Sequence, residues 1–342
     1  MVIHVVRPGE SLSSVAREYG VPLSQLAVDN GLQNDPRLVV GQALVVQFPQ
    51  QVHTVQPGES LSSIARQYGM SLRQLYRNNP ILGGGPVLYP GQTLVISYEG
   101  ATEGVLSVNG YAYPFIDKDL LQSTVPYLTF LTPFTYGFTP DGTLVDLDDG
   151  VLIAMAKAGG AAPLMHLSTL TGEGGFSNEL AHIALTDRTV QDALISNLRR
   201  TLEEKGYRGL DVDFEYVFPE DASAYAAFLG RLTALLNPLG YPVIAALAPK
   251  TSADQPGLLY EGHNYRAIAE AVNEVLLMTY EWGYTYGPPM AIAPLYIVRQ
   301  VVEYAHRRNP NLKIFPISAK TGLGLDAWRQ WLLEETRAWK ES

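Results

Sequence analysis

Asp211, Asp213 and Glu215 alternate with Leu210, Val212 and Phe214. In an extended strand, that period of two sets three carboxyl groups on one face and the apolar side chains on the other. Like charges so close on a half-buried strand raise one another's pKa. The pattern suits acid–base chemistry: two carboxylates hold charge and orientation, while Glu215, at the C-terminal end, is kept protonated as an acid. A merely charged, solvated edge strand is the alternative. A cation site is another, since carboxylate oxygens suit magnesium or calcium. The six histidines do not cluster at ligand spacing, so no metal and no cofactor is expected.

The strand needs a scaffold. A long helix over 189–205 leads into it, and strand-like and helical runs alternate on both sides. Strands are expected at 106–115, 128–135, 162–168, 243–248 and 275–280, with helices at 119–125, 148–158, 223–237 and 265–272. Such alternation predicts a parallel sheet, and acidic residues at a strand's C-terminal end fit a (β/α)8 barrel.

In front stand two copies of one small unit. The run from His4 to Gly20 recurs from His53 to Gly69, 49 residues later. Each copy reads as strand, Pro-Gly turn, helix capped by Ser11 or Ser60, second short helix (24–30; 71–78) and closing strand (43–46; 93–96). The chain of 342 residues has room for such a pair and a barrel-like domain. Its net charge of -10 argues against a nucleic-acid partner, and the absence of cysteine excludes a disulfide framework. No signal peptide and no membrane-spanning run is legible, so the protein either stays in the cell that makes it or leaves by another route.

The acidic stretch resembles the signature of glycoside hydrolase family 18, D-G-x-D-x-D-x-E, with Arg208 at the first acidic position. The resemblance implies that Glu215 is the proton donor, that Asp213 and Asp211 support it, and that the sugar's own N-acetyl oxygen is the nucleophile. Gly110-Tyr-Ala-Tyr-Pro-Phe115, Ala245-Ala-Leu-Ala-Pro-Lys250 and Met278-Thr-Tyr-Glu-Trp-Gly-Tyr284 resemble further strands of that family. By this likeness Tyr280 steadies the acetamido group, and Tyr111, Tyr113 and Trp282 contact substrate. Both repeats resemble the LysM module. That implies binding of peptidoglycan or chitin through loops that include Gly9, Glu10, Ser11 and Leu12, or Gly58, Glu59, Ser60 and Leu61, set against 34–38 and 82–87. The combination is similar to spore-peptidoglycan (cortex-lytic) N-acetylglucosaminidases, and implies a place in the spore coat, cortex or cell wall.

Residues 305–342 read differently. They resemble the C-terminal strand-loop-helix of a hydrogenase nickel-insertion GTPase, with Ser318-Ala-Lys320 as the guanine-side loop. No phosphate loop accompanies it, so GTP is not expected as a partner. Two LysM modules (2–48 and 51–97) are therefore expected before a family 18-like barrel (103–304) that lacks or replaces its last strands. The expected activity is that of a retaining N-acetylglucosaminidase. A non-catalytic glycan-binding protein on an incomplete barrel is the alternative.

Overall fold

The computed structural model describes residues 1–100, 107–171, 174–280, 282, 290 and 292–308. They fall into two units. One comprises 1–108 and 117–128, the other 109–116 and 129–308, among the described residues.

In the first unit, Val2–Val5 pairs antiparallel with Ala43–Val46, and Pro49–Thr54 with Thr93–Tyr98. Between the strands of each pair lie two short helices, Leu12–Tyr19 and Leu23–Asp29 in one copy, Leu61–Gln67 and Leu72–Asn78 in the other. Ser11 and Ser60 cap their helices as expected, each in a reciprocal box with the serine three residues on. The two cores are built from equivalent positions: Leu12, Val15, Ala16 and Leu26 in the first, Leu61, Ile64, Ala65 and Leu75 in the second. The repeat in sequence is thus a repeat in packing.

The second unit is an α/β fold of the TIM-barrel type. Asn109–Ala112, Phe130–Pro133, the run 162–168, Leu210–Asp213, Val243–Leu247 and Glu274–Leu277 lie side by side in chain order, all parallel. Helices Gly150–Ala158, Asn178–Thr186, Arg188–Lys205, Ala222–Leu236 and Tyr265–Ala271 alternate with them. Arg188–Lys205 begins where the Asp187 side chain accepts from the amides of Thr189 and Val190. It buries Val190, Leu194, Leu198 and Leu202 along one stripe and ends at Gly206, whose φ of 69° reverses the chain toward the acidic strand. Buried Asp149 then secures that junction, accepting from the hydroxyls of Tyr136 and Tyr207 while lying 3.0 Å from Lys205 Nζ. No helix among the described residues is long and apolar enough to cross a membrane.

Several expectations are corrected. The acidic strand ends at Asp213, so Glu215 lies just beyond it, and Tyr216 turns away with a φ of 55°. Leu210–Asp213 is an interior strand, paired on both sides, and not a solvated edge. The helix Leu295–Arg308 crosses the expected boundary at 304/305, because Val301, Tyr304 and Ala305 are buried and Tyr304 packs on Tyr265 at 5.3 Å. The remainder of the atypical tail, 309–342, lies outside the described residues.

Candidate active site

Strand register places the acidic residues at a mouth. Ser168 lies beside Asp213, and His166 beside Asp211, on the neighbouring parallel strand. Asp211 is fully buried and Asp213 is 4% exposed, while Leu210, Val212 and Phe214 fill the opposite side as core. Above them opens a cavity of about 620 Å³, large enough for one or two sugar rings. Glu215 and Asp213 line it together with Tyr111, Tyr113, Tyr280 and Trp282, so the predicted residues of this unit converge there.

The electrostatics follow from burial. Desolvation, and after it the charges of Glu215 and Asp211, push the Asp213 carboxyl well above the usual range. Desolvation raises Asp211 to about 6, against a hydrogen bond donated by the Tyr111 hydroxyl that pulls the other way. The Oδ1 atoms of Asp211 and Asp213 are buried without a hydrogen-bond partner. An acceptor left unmatched in such a place is ready for a donor brought by a ligand. Tyr111, expected to meet substrate, therefore also holds Asp211.

His166, Thr135 and Ser168 form a layer beneath this, which sequence reasoning missed. Thr135 Oγ1 lies 2.6 Å from His166 Nδ1 and donates to Ser168 Oγ at 3.0 Å. The imidazole sits 3.7 Å from Asp213, but burial lowers its pKa to about 3, so it is neutral there and not an ion-pair partner. Phe134, Phe176 and Tyr216 add rings to the wall. The only signal for His166 was its place on an expected strand.

Sequence comparison matches residues 131–327 to Glycosyl hydrolases family 18 and residues 4–47 and 53–97 to the LysM domain. The chain belongs to glycosyl hydrolase family 18. It is a glycoside hydrolase with two LysM domains. It is 40% identical over 322 residues to the cortical fragment-lytic enzyme of Bacillus anthracis, covering 91% of this chain and 73% of that protein. The crystal structure of the Bacillus cereus spore cortex-lytic enzyme SleL superposes with a TM-score of 0.70 at 36% identity, over 92% of this chain and 74% of that one. A chitinase from Chromobacterium violaceum, at 21% identity and a TM-score of 0.55 over 60% of this chain and 66% of that one, shares the fold.

The LysM loops depart from expectation in detail. Leu12 and Leu61 are 4% and 5% exposed, so their side chains belong to the cores and can offer a glycan only backbone. Glu10 and Glu59 are turned onto their own modules. Glu10 Oε2 accepts from the Arg7 amide at 2.6 Å and lies 2.9 Å from His4 Nε2. Glu59 Oε2 does the same with the Gln56 amide and His53, at 2.7 and 2.8 Å. Those amides first, then the histidines, hold both carboxyls below the usual range. Gly9 and Gly58 close the same turns, with φ of 83° and 85°.

Proposed function

We propose that this chain is a retaining, substrate-assisted N-acetylglucosaminidase acting on spore-cortex or cell-wall peptidoglycan. The observation that carries the reading is the series Asp211, Asp213 and Glu215 rising from buried strand to open cavity, with Asp213 pushed strongly toward its protonated form. Glu215 protonates the glycosidic oxygen. The acetamido oxygen of the same sugar attacks C1 as the bond to the leaving group breaks, so no carboxylate nucleophile is needed. Asp213 takes the acetamido N–H on its unmatched oxygen, and Asp211, held by Tyr111, shares charge with Asp213. Tyr280 meets the acetamido oxygen. Glu215 then accepts a proton from the water that attacks C1 as the bond from C1 to the acetamido oxygen breaks, which restores the acetamido group and retains the configuration.

The names of the relatives, directed at cortical fragments and the spore cortex, support the substrate and a place at the spore or cell wall. We further read the barrel as six strands followed by an atypical segment. The strand-loop-helix that 305–342 resembles falls, from 309 on, outside the described residues, and we assign 309–342 no nucleotide site.

Release of reducing sugar from spore-cortex fragments or an N-acetylglucosamine oligomer tests the reading. Wild type should turn over, and Glu215→Gln should lose roughly 10²–10⁴-fold in kcat while still binding polymer, because the amide keeps the shape without the proton. Equal rates would remove Glu215 from its role. Polymer binding without turnover by wild type would leave a glycan-binding protein.

A further inference from the structure

Glu215 follows a strand whose last direct bonds to its neighbour are interrupted. Leu210 pairs with Val243 and Val212 with Ala245, and the Leu210 amide donates to Pro242 O at 2.9 Å. In a parallel ladder of this register the bonds advance two residues at a time on each strand. The next carbonyl due a partner is Phe214 O, and the amide due to meet it is Ala248 N. They do not meet, because the side chain of His263 stands between them. The Ala248 amide donates to His263 Nδ1 at 2.9 Å, and His263 Nε2 lies 3.0 Å from Phe214 O. An amide can only donate, so Nδ1 must accept. The ring proton is therefore on Nε2 and is donated to Phe214 O.

The loop that carries His263 touches the other side of Glu215 as well. A Cβ on Gly262 would lie 2.3 Å from Val217 O and 2.6 Å from Val217 Cβ, so only glycine lets the loop come this close. Buried Lys250 holds the loop down, its Nζ donating to Tyr260 O at 3.0 Å and His263 O at 3.2 Å. Between these two contacts Tyr216 has a φ of 55°, a left-handed conformation that a tyrosine does not adopt unaided. The segment 214–217 is thus strained, outside the strand, and gripped on both sides by 260–263.

We propose that His263 is a positioning residue for catalysis: an imidazole inserted into the ladder splays two strands at the barrel mouth and fixes the backbone that presents Glu215. Lys250 and Gly262 complete the grip. The ring is fully buried, and desolvation lowers its pKa to about 4, so above that pH it is neutral and keeps this donor–acceptor order. The role rests on the reading of Glu215 as the acid.

The test compares His263→Leu, which fills the space without bridging, with His263→Gln, which keeps an N–H for Phe214 O, in the full chain. Two readouts are taken, steady-state kinetics and amide exchange over 214–217. His263→Leu should lower kcat roughly 10–100-fold with KM nearly unchanged and speed exchange in that segment, since small misplacements of a catalytic group cost this much. His263→Gln should recover most of both. A folded His263→Leu with wild-type kcat and exchange overturns the proposal, as does a His263→Gln no better than leucine. If His263→Leu does not fold, Lys250→Met replaces it: faster exchange over 214–217 supports the grip, and unchanged exchange refutes it. If wild type shows no turnover, the reading of Glu215 as the acid fails by itself, and exchange still decides whether His263 holds 214–217.

Discussion

Asp211 lies fully buried with one oxygen unmatched, a costly arrangement. Its pKa rises from an ordinary 3.8 to about 6. The folded state therefore binds the proton more tightly than the unfolded chain. The resulting stability is fully present below pH 3.8 and lost as the pH climbs through about 6. At neutral pH an ionised Asp211 is a burden. Asp211→Asn, whose amide oxygen still accepts from Tyr111, should raise stability at pH 7 by about 2 kcal/mol and lower activity. Thermal melts at pH 7 and pH 4 check this: the gain should shrink toward zero at pH 4. A gain equal at both would mean that ionisation is not its source.

At the scale of elements, an equivalent asparagine staples each LysM module. Asn79 Nδ2 donates to Leu75 O and Val95 O, at 2.9 and 2.8 Å, and its Oδ1 accepts from the Val95 amide at 2.7 Å. Asn30 repeats all three bonds with Leu26 and Val45. These amides tie the end of the second helix to the closing strand, where neither element can bond the other directly. Asn79 is 4% exposed, so truncating it leaves buried backbone groups without partners. Asn79→Ala should cost the module about 2–3 kcal/mol and lower the midpoint of its unfolding transition in urea. A midpoint unchanged from wild type would show that water replaces the amide.

For the molecule as a whole, two glycan-binding modules in tandem matter through avidity, since binding by one raises the local concentration of polymer for the other. The unit that holds them includes 117–128: Arg73 and Arg77 both donate to Pro126 O, at 3.0 and 2.7 Å. A fragment of residues 1–128 should therefore fold and pellet with insoluble peptidoglycan, without the hydrolase domain. Inactivating one module by substitution should weaken its retention at least tenfold. A folded 1–128 fragment that stays in the supernatant at low and high salt would end the claim.

The period of two in Asp211, Asp213 and Glu215, the doubled run from His4 and His53, and the serine caps were legible because each is a local pattern read by one element. Six strands in order were legible for the same reason, as alternating runs. Tertiary structure alone decided what came from afar. His166 and His263 enter from neighbouring strands and loops, and a lone histidine carries no spacing by which to find it. Glu10 and Glu59 looked available for glycan, but the turn after the first strand of each module folds them back onto the histidine six residues before, a contact that only the geometry of the turn reveals. The strand's end at Asp213 was also hidden, because the ladder stops where a side chain from residue 263 replaces its next bond. Sequence determined which groups could do the chemistry; long-range packing determined how tightly they are held.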